Sequence, residues 1–127
     1  MNRCLLLALA PAVLCSCMNS PESEPKLLLG ATLMDGSSRP PVADAVVVVK
    51  EGRITAMGAA SDVQLPEQGT RFQFQGKFIF PLDPAAPLTV GGPADLVVTN
   101  VNPATDPDYA LKTTGRMEAG RWIKYPQ

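Results

Sequence analysis

Thiols and carboxylates are the side chains to weigh first as chemical groups. The 127-residue chain has no histidine at all. That removes Ser-His-Asp and Cys-His nucleophilic sites, histidine-ligated zinc, and histidine as a general base. The thiols are Cys4, Cys15 and Cys17, all near the N-terminus. A thiol without a basic partner makes a poor nucleophile, and the rest of the chain has no cysteine with which to form a disulfide. Asp106 and Asp108 have the alternate spacing of calcium ligands, but Pro107 separates them and neither the glycine nor the distal glutamate of an EF-hand follows. They read instead as a helix N-cap with proline at the first helical position, opening one turn over Tyr109 to Lys112. Asp95 precedes an apolar run and is expected to hydrogen-bond the Gly91 to Ala94 turn. Gly91-Gly92 lacks the Lys-Ser/Thr of a phosphate-binding loop and is read as a turn. Glu22 and Glu24 are solvating charge. Trp122 and Tyr125 could mark a ligand face, although a single tryptophan in a small β-domain is more simply core. No catalytic residue, no metal ligand and no cofactor follows from these residues.

The whole composition agrees. Eleven basic and twelve acidic side chains leave a net charge of −1, so no electrostatic footprint for nucleic acid exists. The length allows one modest domain and excludes a barrel enzyme of about 250 residues.

Residues 1–16 read as a signal peptide. Arg3 supplies the positive region, and Leu5 to Leu14 form an apolar stretch shorter than the roughly 20 residues that span a membrane. The Leu14-Cys15-Ser16-Cys17 segment resembles the lipobox of bacterial lipoproteins, with Leu14, Ser16 and Cys17 on the pattern and Cys15 an unusual occupant of the middle position. The resemblance implies cleavage after Ser16 and lipidation of Cys17, hence export and a membrane partner through several acyl chains. Met18 in place of aspartate implies the outer membrane if the source is Gram-negative. An ordinary signal peptide releasing a soluble protein is the rival reading. Residues 17–26 form the lipidated cysteine and a polar tether.

The elements that must position everything else lie in residues 27–127, and they read as strands and turns. Leu27 to Leu29 and Ala31 to Met34 lead into the turn cluster Asp35-Gly36-Ser37-Ser38. Ala45 to Lys50 and Arg53 to Met57 form a hairpin across Glu51-Gly52. Val46 to Val49 are continuously apolar, so this strand is expected to be covered on both faces. Phe72 and Phe74 alternate with polar residues, Gly76-Lys77 turns into Phe78 to Phe80, and Leu96 to Val98 form a short buried strand. A last hairpin, Gly115 to Glu118 with Arg121 to Tyr125, turns at Ala119-Gly120. Seven or so short strands predict a small all-β sandwich, large enough for one marginal core.

Two stretches together resemble the amidohydrolase superfamily of metal-dependent hydrolases, whose imidazolonepropionase-like members carry a composite β-sandwich. Thr32, Asp35, Gly36, Val46 to Val49, Gly52, Arg53, Ile54 and Gly58 fall on that family's opening motif. Gly76-Lys77-Phe78-Ile79-Phe80-Pro81 resembles the segment before its catalytic barrel. Gly92-Pro93-Ala94-Asp95-Leu96-Val97-Val98 with Asn102-Pro103, and Gly120-Arg121-Trp122-Ile123, resemble its C-terminal end.

The resemblance implies a sandwich whose two halves flank a barrel. Here Leu82-Asp83-Pro84 follows Pro81, where the family has Asp-x-His-x-His, and a few residues later Leu88 begins the return. No catalytic residue carries over, and Asp83 inherits no role. The expectation is an exported scaffold or interaction module, with a protein partner or self-association on the apolar face that would have met the barrel. The alternative is the non-catalytic part of a split hydrolase of non-peptide carbon–nitrogen bonds, with its barrel encoded separately. A gene model missing its middle would produce the same junction.

Overall fold

The computed structural model describes residues 24–126, so Cys4, Cys15, Cys17 and Glu22 lie outside the described residues. Nine strands make two sheets. They are β1 (Lys26–Leu29), β2 (Thr32–Leu33), β3 (Ala45–Lys50), β4 (Arg53–Ala59), β5 (Thr70–Gln73), β6 (Phe78–Pro81), β7 (Leu96–Thr99), β8 (Thr113–Glu118) and β9 (Arg121–Lys124). The first sheet has the order β4-β3-β1-β5 and the second β2-β6-β7-β8-β9. The all-β class is as expected; β1 and β2, adjacent in the chain, belong to different sheets, and β1 begins one residue early, at Lys26. Among the described residues no helix is long and apolar enough to cross a membrane.

Both hairpins form where turn chemistry placed them. Glu51 and Gly52 have φ of 53° and 82°, and Ala119 and Gly120 have 50° and 79°. Positive φ at both central residues is what a type I′ turn requires, and its twist matches the flanking strands. Two pairings are parallel, β1 with β5 and β2 with β6, so both sheets are mixed.

The valine run explains the layering. Val47 and Val49 enter the main core between the sheets, with Leu28, Ile54, Ile79, Leu96, Val98 and Met117. Val46 and Val48 point the other way and join Leu27 in a second cluster, covered by Val63 and Leu65 from the stretch after β4. Complete burial of each valine stabilises by about 1.5–3 kcal/mol, so a strand covered on both faces is the anchor of the first sheet. β7 plays the same part in the second. All four of its residues are buried. The one polar member, Thr99, is satisfied by donating its hydroxyl to the Val101 carbonyl at 2.7 Å.

The chain crosses into its C-terminal portion through β6 and β7, which pair antiparallel from Phe78–Thr99 to Pro81–Leu96. Between them Asp83 closes a tight turn: its carboxylate accepts the Ala85 amide at 2.9 Å and its carbonyl the Ala86 amide at 2.9 Å. Leu88 then inserts into the main core.

Candidate binding groove

The motif residues of the two halves meet at one seam. Ala94, fully buried, donates its amide to the Gly52 carbonyl at 2.9 Å and accepts the Gly120 amide at 3.1 Å. The Asp95 carboxylate accepts the Ala119 amide at 2.7 Å, and its carbonyl takes the Leu82 amide at 3.1 Å. Ala94-Asp95 therefore ties both hairpin tips together. A Cβ on Gly120 would lie 2.7 Å from Gly52 Cα, so the tips approach too closely for any side chain at that position.

Asp95 was expected to bond the Gly91 to Ala94 turn, and it does not. That turn is already satisfied by backbone: Gly91 donates to Ile54, Ile54 to Gly92, Gly92 to Thr89 and Ala94 to Gly52. The carboxylate is left to reach the other hairpin. Gly91-Gly92 is a turn, as read, and Arg53 Nη1 further pins it by donating to the Gly91 carbonyl at 2.9 Å.

Asp106 is also corrected. Tyr109–Lys112 is a single 3₁₀ turn preceded by Asp108, with no side-chain cap. Asp106 instead accepts the Asp108 amide at 2.8 Å and pairs with Lys112 at 2.8 Å. This local Asx turn competes with helix formation, and four residues are too few to offset it. The hydrogen bonds from Lys112 and the Asp108 amide hold the Asp106 carboxyl below its ordinary value. Glu24 accepts the Thr70 hydroxyl at 3.0 Å and so fastens the start of β1 to β5.

Trp122 packs against the main core, half-buried, with ring centroids 5.3 Å from Phe72 and 6.2 Å from both Phe74 and Tyr125. This four-ring cluster closes the sandwich between edge strands β5 and β9. The indole N–H has no hydrogen-bond partner among the described residues. The ring's observed contacts are packing contacts with the core and the neighbouring rings.

No group of three metal-ligating side chains lies together among the described residues. With no histidine in the chain, the described side chains do not make the histidine-rich donor set of a metal-dependent hydrolase.

What motif reasoning missed is a groove of about 620 Å³ on the outer face of the second sheet. Phe80 of β6 and Val97 of β7 form its floor, the Met34 to Pro41 loop is one wall, and Pro103 to Ala110 is the other. Tyr109 stands edge-on to Phe80, with centroids 5.5 Å apart and planes at 78°. Pro81 and Pro84, at the β6–β7 junction, reach the rim. Asp35 and Arg39 are the charged lining residues. Asp35 Oδ1 accepts the Ser37 amide and hydroxyl at 2.9 and 2.6 Å, and Oδ2 accepts Arg39 Nη2 at 2.7 Å. Partial burial pushes the Asp35 carboxyl upward, but the Ser37 hydrogen bonds and the Arg39 charge outweigh it, leaving the carboxyl below its ordinary value of 3.8. The pairing of Phe80 with Val97 that makes the floor is a matter of strand register and carries no signal in the sequence.

No family model matches the chain, and no curated protein does. Partial matches are found among solved structures of the amidohydrolase superfamily. A molinate hydrolase is 33% identical over 48% of this chain and 13% of its own, with a TM-score of 0.42. A putative prolidase from Bifidobacterium longum is 25% identical over 48% and 16%, with a TM-score of 0.43. A D-aminoacylase is 32% identical over 45% and 11%, with a TM-score of 0.36. The chain thus spans about one eighth of the length of these structures.

Proposed function

We propose that this chain is a non-catalytic scaffold or interaction module, related to the composite sandwich of the amidohydrolase superfamily and tethered to a membrane through lipidated Cys17. The observation that carries the reading is the Ala94-Asp95 seam. The opening motif contributes Gly52, the return motif Ala94 and Asp95, and the closing hairpin Ala119 and Gly120, all joined by backbone and carboxylate hydrogen bonds. Gly52, Ala94, Asp95, Ala119 and Gly120, which lie in the stretches that resemble a hydrolase, serve here as fastenings of the sandwich. The resemblance of Leu14 to Cys17 to a lipobox supports a module held outside the cytoplasm.

Cys17→Ser tests the tether. The wild-type chain is expected in the membrane fraction and the variant in the soluble fraction; a variant that still sediments with membranes contradicts lipidation at Cys17.

One observation favours the split-enzyme reading as a second: the apolar groove opens beside Pro81 and Pro84, at the junction where the resemblance would place a barrel. Under that reading a neighbouring reading frame encodes a barrel with His-x-His. Its product would co-purify with this chain, and amide hydrolysis would require both. Failure of the two products to associate removes the second reading and leaves the first.

A further inference from the structure

We propose that the groove over Phe80 and Val97 is a binding site for a small arylalkyl carboxylate, a reading that depends on neither the family relationship nor the lipid anchor. The volume of about 620 Å³ falls within the roughly 300–1,000 Å³ of small-molecule sites. The lining has the matching character, largely apolar with a few polar groups: Asp35, Ser37 and Arg39 on one wall, Tyr109 and Thr113 on the other side. The Phe80–Tyr109 edge-to-face pair offers ring surfaces to an aryl group, and the C–H faces of Pro41, Pro81 and Pro103 offer apolar ones.

The polar end of the ligand follows from which hydrogen-bonding capacity remains. Asp35 is already committed, with Oδ1 accepting two hydrogen bonds and Oδ2 the guanidinium. Its side chain is only 10% exposed, whereas that of Arg39 is 71% exposed. Arg39 uses Nε toward the Ser37 hydroxyl and Nη2 toward Asp35, and a guanidinium has five N–H donors in a planar fork. Available capacity at the charged rim is thus donor capacity on a fixed cation, which suits a carboxylate and disfavours an ammonium. The Asp35 charge beside it limits the gain, so the discrimination is modest.

The test titrates the full chain carrying Cys17→Ser with three matched compounds: 4-phenylbutyrate, 4-phenylbutan-1-ol and 4-phenylbutylamine. Calorimetry is expected to give saturable binding of the carboxylate, about fivefold tighter than the alcohol or the amine, as an exposed ion pair allows. Arg39→Gln should erase that margin while leaving the alcohol unchanged. Ala104→Trp, an exposed wall position, should weaken all three about tenfold by filling the groove. Amide chemical shifts on titration should move at Arg39, Val97 and Tyr109, which keeps the site testable if either variant folds poorly. The proposal is overturned by an absence of saturable carboxylate binding at millimolar concentration, by equal or tighter binding of the amine, by a margin that survives Arg39→Gln, or by shifts confined elsewhere.

Discussion

A single hydrogen atom decides whether the two hairpin tips can touch. Gly120 has φ of 79° and its missing Cβ would sit 2.7 Å from Gly52 Cα, a backbone atom that cannot move aside cheaply. Gly120→Ala therefore combines left-handed strain with a steric clash and should destabilise the domain by about 3 kcal/mol or more. Gly91 has φ of 91° but nothing within 4 Å of a Cβ. Gly91→Ala should cost about 1–2 kcal/mol, from the backbone conformation alone. Urea denaturation of the two variants checks the ordering; equal losses would mean that the tips do not pack as described. Asp35 gives a residue-scale pH dependence. Its folded carboxyl lies below the ordinary 3.8, so its contribution is fully present above that value and is lost as pH falls through the lower folded one. The stability difference between wild type and Asp35→Asn should be constant near neutrality and shrink below about pH 4. Acid denaturation curves of the pair measure it. Asp95 shows why residue-scale reading fails in places. Its type announces a hydrogen-bond acceptor, but its partner at Ala119 was hidden, because only the fold reveals which nearby amides the backbone has already satisfied.

Elements were more legible than the contacts between them. Glu51-Gly52 and Ala119-Gly120 announce two-residue turns through their glycines, the type I′ geometry being visible only in the structure, and the valine run announces two-faced burial through composition. Each signal is complete within a few residues. The turn at Tyr109–Lys112 falls where the sequence puts it, but without the Asp106 cap, because Asp106 can satisfy the backbone locally by two competing geometries and the sequence does not say which prevails. The exchange of sheets between β1 and β2 leaves no pattern at all, since Gly30-Ala31 looks like any short break. The β6–β7 connection offers a test at this scale. Its turn at Asp83 to Ala86 is exposed and is held by two short-range hydrogen bonds. Doubling the connection with a Gly/Ser insertion after Pro84 should cost only about 0.6 kcal/mol of closure entropy, plus roughly 1 kcal/mol for the turn hydrogen bonds. A thermal melt that remains cooperative after the insertion supports a sandwich whose halves are held by the seam. Loss of folding would show that the short junction itself holds them together.

For the whole molecule, two layers are closed by three devices: the valine-rich centre, the four-ring cluster joining β5 to β9, and the Ala94-Asp95 seam joining the hairpin tips. The groove belongs to this scale alone. Asp35, Phe80, Val97 and Tyr109 come from separate parts of the chain, so no local signal could assemble them into one groove. The absence of histidine is visible at once, whereas only the architecture shows that Gly52, Ala94, Asp95 and Gly120 hold the hairpin tips together. The most direct measurement is zinc content together with amide hydrolysis by the purified full chain, before and after exposure to excess zinc. The expected result is no stoichiometric zinc and no hydrolysis above the zinc-only control. One retained equivalent of zinc, with hydrolysis that chelation abolishes, would contradict the account.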